Sequence, residues 1–231
     1  MAGGASAHRS PDAAAPRAMA RLSCLRCLRP VSHCLCAWIP DLPSRSRVLV
    51  LQHPDEAAHP LNTARLAALG LRQATLWVGE RFAELPAWLE APGVRALLLF
   101  PGEAAVDPEA WTAAGEGTQT LLVVPDGTWR TARRLLRLNP ALAALPRLAL
   151  APDRRSRYRV RRAREPHALA TIEAIATALD LLEPGGGFEA LLAPFDAMVD
   201  GQIAAQATRE AGGAGVSADA EATGEAGAPE R

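Results

Sequence analysis

Thr120-Leu121-Leu122-Val123-Val124-Pro125-Asp126-Gly127-Thr128-Trp129 reads as a buried strand that ends in a carboxylate, a glycine, a hydroxyl and an indole. A helical pattern follows at once, runs to about Leu138 and stops before Pro140. A strand that delivers polar side chains to the start of a helix is how α/β proteins build ligand sites. Behind it the chain becomes basic. From Asp126 to Glu165 there are twelve arginines against three carboxylates (Asp126, Asp153 and Glu165), although the whole chain is neutral.

Upstream of this stretch the same alternation repeats. Val48 to Gln52 is a short apolar run, expected as a strand, and it leads into the polar loop His53-Pro54-Asp55-Glu56. Asn62 is placed to cap a helix from Thr63 to Leu69. A strand is expected from Thr75 to Val78, a short helix from Leu85 to Glu90, and a strand from Ala96 to Phe100, stopped by Pro101-Gly102. Asp107 is suited to cap a helix opening at Pro108, because proline is favoured in a first turn.

Downstream, Arg147 to Leu150 reads as a fifth strand, and Ser156 to Arg164 as a loop with five arginines and the only tyrosine, Tyr158. Leu169 to Leu182 has helical periodicity, with Ile172, Ile175, Ala176 and Leu179 inward. Gly185-Gly186-Gly187 breaks the chain, and Phe188 to Arg209 is helical again, kinked or restarted at Pro194. Alternating strands and helices predict an α/β fold, a mostly parallel sheet covered on both faces. This domain spans residues 41–209; residues 210–231, rich in Ala, Gly and Glu, read as a disordered tail.

Four cysteines occur, all between Cys24 and Cys36. A disulfide framework would spread them through the chain. Crowded as Cys24-Leu-Arg-Cys27, six residues, then Cys34-Leu-Cys36, they suit a tetrahedral zinc ion held by four thiolates. The loop between the pairs is too short for a finger helix, so residues 21–40 read as a small structural ribbon. Residues 1–20 lack an apolar signal core and read as a disordered leader, or as sequence ahead of a true start at Met19. No run approaches the roughly 18 apolar residues of a membrane span. These features predict a cytoplasmic protein in a reducing compartment.

Several residues are candidates for chemistry. Asp126 is either a helix cap or a site carboxylate. Trp129 is either core or a platform for a base. The arginines are either a solvated face or a phosphate surface, since the guanidinium forks onto phosphate oxygens. Tyr158 among them suits unstacked RNA bases. His53 and Glu56 carry no decided role. No G-x-x-x-x-G-K-[ST] occurs and no G-x-G-x-x-G follows a strand, which removes support for ATP hydrolysis and ordinary dinucleotide binding.

Taken together, the motifs resemble the DTW-domain family, the tRNA-uridine aminocarboxypropyltransferases. The resemblance rests on Cys24-Leu-Arg-Cys27-Leu-Arg-Pro30 with Cys34-Leu-Cys36, Leu51-Gln-His-Pro-Asp-Glu56, Asn62-Thr-Ala-Arg65, Phe100-Pro101, the D-x-T-W signature at Asp126 to Trp129, Ser156-Arg-Tyr158-Arg-Val-Arg161-Arg162, and Leu169-Ala-Thr171-Ile-Glu173. Ala64 stands where glycine is expected, and Ala170 where serine is expected. The resemblance implies transfer of the 3-amino-3-carboxypropyl group from S-adenosylmethionine to N3 of a tRNA uridine. It implies Asp126, Thr128 and Trp129 as catalytic residues, and Pro101, Ser156, Tyr158, Arg161, Arg162, Thr171 and Glu173 around S-adenosylmethionine. Arg130, Arg133, Arg134, Arg154 and Arg155 are the arginines expected on tRNA, with Cys24, Cys27, Cys34 and Cys36 on structural zinc. No protein partner is implied. A distant relation to SPOUT methyltransferases suggests a C-terminal knot that binds S-adenosylmethionine, although nothing in the strand pattern shows one. Two other readings stay open: a SPOUT-type S-adenosylmethionine-dependent RNA methyltransferase, and a non-catalytic RNA-binding zinc-ribbon protein.

Overall fold

The computed structural model describes residues 22–102, 104–151, 156–157 and 169–214, with side chains as far as residue 210. Five strands form one sheet: β1 (Arg47–Gln52), β2 (Ala74–Val78), β3 (Val94–Leu99), β4 (Gln119–Asp126) and β5 (Arg147–Leu148). Their order across the sheet is β2-β1-β4-β3-β5, and every pairing is parallel. The helices are α1 (Pro54–Ala57), α2 (Ala64–Gly70), α3 (Leu85–Leu89), α4 (Pro108–Ala113), α5 (Trp129–Leu138), α6 (Thr171–Leu182) and α7 (Ala193–Ala214).

Strand alternation sorts the core into two layers. Val48, Val50, Leu97, Leu99, Leu122 and Val124 face one side, where α2, α6, Phe188 and α7 cover them. Leu49, Leu51, Ala96, Leu98, Leu121 and Val123 face the other, under Leu85 of α3 and Leu135 of α5. Because both faces are covered, the three central strands carry continuous aliphatic runs at 48–51, 96–99 and 121–124 rather than alternating. The inward face expected of α6 is the one observed: Ile172, Ile175, Ala176 and Leu179 are all buried.

Some boundaries differ from expectation, each for a local reason. The fifth strand keeps only Arg147 and Leu148, because β3 ends at Leu99 and offers no further partner. The His53–Glu56 segment is a one-turn helix rather than a loop, with Pro54 in its first turn and the His53 side chain capping it. Pro194 restarts the last helix in the first turn of α7 rather than kinking it. That helix continues to Ala214, past the expected start of the tail. The expected leader and the remaining tail lie outside the described residues. So does the decisive part of the expected knot, the path from 152 to 168 apart from Ser156 and Arg157. Among the described residues no helix is long and apolar enough to cross a membrane.

Candidate active site and metal centre

The sheet order dictates where a site belongs. From β1 the chain leaves toward β2 on one side; from β4 it leaves past β3 toward β5 on the other. Where adjacent parallel strands send their connections apart, a crevice opens beyond their carboxyl ends, and ligands of α/β proteins bind there. The last residues of these two strands, Gln52 and Asp126, stand directly opposite each other in the register.

Asp126 is 6% exposed. Gln52 Nε2 donates to its Oδ2 at 2.7 Å, and the Thr171 hydroxyl donates to its Oδ1. No cationic group pairs with it among the described residues. Burial pushes its carboxyl above the usual carboxylate range, against the pull of Thr171 and Gln52. An uncompensated buried carboxylate is costly, and such groups are kept where a proton or a cationic ligand is handled.

The turn after Asp126 is built around Gly127, whose φ is +150°. A Cβ there would lie 2.3 Å from Thr131 Oγ1, so only glycine fits without displacement. Thr128, not Asp126, is the N-cap of α5, accepting from the Thr131 amide at 3.3 Å. This leaves the Asp126 carboxylate free of capping duty. Trp129 opens α5 and is 42% exposed; its ring meets that of Phe100 edge-on, centroids 5.8 Å apart. Arg147 lies over the Phe100 ring and donates to the Pro101 carbonyl at 3.0 Å. An exposed indole fixed by a second aromatic at the crevice is a surface on which a flat ring can stack.

Glu173, buried in the first turn of α6, holds three donors: the Arg157 amide on Oε1, and the Ser156 hydroxyl and Ala170 amide on Oε2, each at 2.7 Å. The Ala170 contact is half of a capping box; Ala170 has no hydroxyl for the other half. Glu173 and Ser156 therefore bind each other and fix the end of the arginine-rich segment. The Arg157 side chain reaches Glu189 and Asp196. A concave surface between α6 and residues 188–192 has Arg157, Glu173, Asp180 and Glu189 on its walls and does not reach Asp126 or Trp129.

The expected RNA contacts divide. Arg130 and Arg133 are exposed on α5 without a partner among the described residues. Arg134 is engaged with Glu80, which also bonds His53 Nε2 at 2.9 Å. Because His53 Nδ1 accepts from the Asp55 amide, Nε2 carries the proton and donates it to Glu80. His53 and Arg134 together hold the Glu80 carboxyl below the usual range. His53 thus ties α1 to α5 rather than pairing with Glu56. Arg154, Arg155, Tyr158, Arg161 and Arg162 lie outside the described residues.

The sequence reading missed Gln52 and Phe100 as site residues. A signal for Gln52 was present: it is the polar residue that ends the aliphatic run Val48-Leu49-Val50-Leu51.

The four cysteines converge as expected. Their sulfurs all lie within 4.8 Å of one another, with Cys24–Cys36 at 3.6 Å and Cys27–Cys34 at 3.8 Å. A tetrahedral zinc–thiolate centre, with bonds of about 2.3 Å, has sulfur–sulfur edges of about 3.8 Å, so the cluster fits. The electrostatics agree. Amides of Cys27 and Arg26 draw Cys24 down to about 6, while burial and the neighbouring thiols push Cys36 up to about 12. Four thiols this close cannot all ionise alone; a shared divalent cation resolves the conflict. The ribbon is tied to the start of α2 and to α7: Arg29 donates to the Asn62 carbonyl at 3.1 Å and to Met198 Sδ at 3.0 Å, and Arg65 to the Arg26 carbonyl at 3.2 Å.

The DTW domain model matches residues 21–203, the ribbon and most of the α/β domain. A Drosophila melanogaster protein named tRNA-uridine aminocarboxypropyltransferase 2 is 34% identical over 173 residues, covering 71% of this chain and 67% of that protein. Proteins of the same name from Mus musculus and Macaca fascicularis are each 30% identical, over 191 and 193 residues, covering 79% of this chain and 64% of theirs. The chain thus spans about two thirds of the length of these curated relatives. No solved structure matches it. With the D-x-T-W signature at the crevice of the sheet and the four cysteines gathered ahead of it in the chain, the chain belongs to the DTW-domain family.

Proposed function

We propose that this protein is a tRNA-uridine aminocarboxypropyltransferase, which transfers the 3-amino-3-carboxypropyl group from S-adenosylmethionine to N3 of a tRNA uridine. The observation that carries the reading is the buried Asp126, with no cationic partner among the described residues, three positions before an exposed tryptophan, within a chain whose family relatives bear that name. The residues fit the cosubstrate's chemistry. Asp126, with no cationic partner among the described residues, offers its negative charge to a cationic group, Trp129 and Phe100 offer aromatic faces, and the arginines offer partners to a carboxylate.

S-adenosylmethionine supplies the alkyl group and a good sulfonium leaving group. Uridine N3–H is a weak acid and must lose its proton to become nucleophilic. Asp126 accepts that proton; its burial makes it a stronger base than an ordinary aspartate. Thr171 orients Asp126, and Thr128 holds the helix start that carries Trp129 against the crevice. Glu173 and Ser156 act through the loop they anchor. Tyr158, Arg161 and Arg162, with the Pro101 turn, contribute to holding S-adenosylmethionine. Arg130 and Arg133, with Arg154 and Arg155, contact tRNA phosphates. Arg134 acts on α5 through Glu80. Zinc on Cys24, Cys27, Cys34 and Cys36 is structural, since a closed four-thiolate site has no open position for catalysis.

The test is incubation of purified protein with tRNA and S-adenosylmethionine, followed by nucleoside mass spectrometry. The expected product is a uridine heavier by one aminocarboxypropyl group. A methylated nucleoside would assign a methyltransferase, and RNA binding with neither product would assign a binding protein.

A further inference from the structure

We infer that Gln52 is a positioning residue of the reaction, which with Thr171 holds the Asp126 carboxylate in the orientation and ionised form in which it accepts a proton. The inference rests on the proposed role of Asp126 as that acceptor.

β1 reads Arg-Val-Leu-Val-Leu-Gln, and Gln52 is 2% exposed. Burying a carboxamide is unfavourable unless its hydrogen bonds are met, so its place at the end of an aliphatic strand requires a partner. The partner is fixed by the sheet. Gln52 and Asp126 are opposite in register, and the backbone is tied on both sides: the His53 amide donates to the Asp126 carbonyl at 3.1 Å, and the Gly79 amide to the Gln52 carbonyl at 3.0 Å. The two side chains thus meet at 2.7 Å on a rigid ladder rather than on a loop.

Two donors from different elements grip the two carboxylate oxygens, Gln52 from β1 on Oδ2 and Thr171 from α6 on Oδ1. One donor would leave the carboxyl group free to rotate; two opposed donors fix its plane. The chemistry of the donor matters as much. An arginine at position 52 would neutralise the carboxylate and weaken it as a base, whereas an amide N–H stabilises the charge without cancelling it. In a chain with 25 basic residues, all arginine, both side chains that bond this buried carboxylate among the described residues are neutral donors. The amide also has a preferred direction. Its N–H2 faces an ionised carboxylate favourably and its oxygen does not, so Gln52 favours the charged state of Asp126 over the protonated one.

The test is the pH dependence of kcat/KM for uridine modification in the wild type, Gln52→Leu, Gln52→Glu and Asp126→Asn. Losing a hydrogen bond to a charged group should move the acid limb of the Gln52→Leu profile up by about one to two pH units. Gln52→Glu should move it at least as far, because two adjacent carboxylates share a proton; it also serves if the leucine variant does not fold. Above the displaced limb both variants should recover activity. If the limb stays in place while activity falls, Gln52 supports the fold only and the inference is wrong. If Asp126→Asn keeps the wild-type rate, Asp126 is not the proton acceptor, and the inference falls together with that reading.

Discussion

Thr128 accepts a hydrogen bond from the Thr131 amide and so takes the capping role that the sequence alone leaves open for Asp126. The two Thr hydroxyls are also within 3.0 Å of each other, and Thr131 is buried against the turn. The D-x-T-W signature is therefore a division of labour: a carboxylate for the crevice, a glycine for the turn, a hydroxyl for the helix start and an indole at the rim. Thr128→Ala should cost about 0.5–2 kcal/mol of stability, as N-cap losses do, and Thr128→Ser should recover most of it. Chemical denaturation of the three proteins measures both effects.

Asp126→Asn separates stability from activity. The Asp126 carboxyl is raised by burial in the folded state, so the folded protein holds its proton more tightly than the unfolded chain. For a raised acid, stability falls as pH rises from the unfolded value through the folded one, and the penalty is complete above it. Asparagine carries no charge and escapes this penalty. The variant should melt at a higher temperature than the wild type near pH 7, and the gain should shrink as the pH is lowered through the folded value. The transfer rate should meanwhile drop by about 10²–10⁴, the range typical of losing a general base. A variant that melts lower at neutral pH would contradict the assigned cost of the buried charge.

Much of this architecture was legible because the strands are aliphatic runs bounded by proline, glycine and polar residues, and because α6 repeats its apolar positions with helical period. The partners of Asp126 were not legible as partners. Gln52 and Thr171 stand 74 and 45 residues away in sequence; the β2-β1-β4-β3-β5 order sets Gln52 beside Asp126, and the packing of α6 on the sheet brings Thr171. Periodicity reports which side a residue faces, not which strand becomes its neighbour. His53 illustrates the same limit. Its spacing to Glu56 decided no role, and its carboxylate partner is Glu80, beyond β2.

Ala170 offers a gain of stability. It holds the N-cap position of α6 in extended geometry, φ −69° and ψ 153°, with Glu173 already bonded to its amide. A serine there would supply the missing acceptor for the Glu173 amide and complete the capping box. Ala170→Ser should stabilise the protein by about 1 kcal/mol. Because Thr171 follows directly and bonds Asp126, a firmer helix start should leave turnover unchanged or slightly raised. Thermal melts and initial rates test the two parts separately.

Metal removal should act on the fold before the chemistry. Arg29 and Arg65 attach the ribbon to α2 through the Asn62 and Arg26 carbonyls, contacts that need the knuckle's shape. Chelation, or Cys27→Ser, should release zinc, lower the melting temperature and make the ribbon sensitive to protease ahead of the α/β domain. S-adenosylmethionine affinity should change little, since the side chains that bond Asp126, Gln52 and Thr171, both lie outside the ribbon. Metal analysis alongside limited proteolysis reads this directly; a chelated protein with an unchanged melt would remove the structural role from the site.

Arg133 and Arg134 are neighbours on α5 with opposite expectations. Arg133 is exposed and without a partner among the described residues, whereas Arg134 donates to Glu80 at 2.9 Å. A phosphate contact contributes to the slope of log affinity against log salt by about one unit per contact. Arg133→Gln should therefore weaken tRNA binding at low salt, flatten that slope by about one, and leave the melting temperature in place. Arg134→Gln should do less to the slope. It releases Glu80 from one partner, so the link from α5 to His53 loosens, and the loss should appear in turnover rather than in binding. Titrations at several salt concentrations with both variants distinguish a residue that touches RNA from one that holds the helix on which its neighbour stands. Equal slopes for the two variants would mean that Arg134 leaves Glu80 when tRNA arrives.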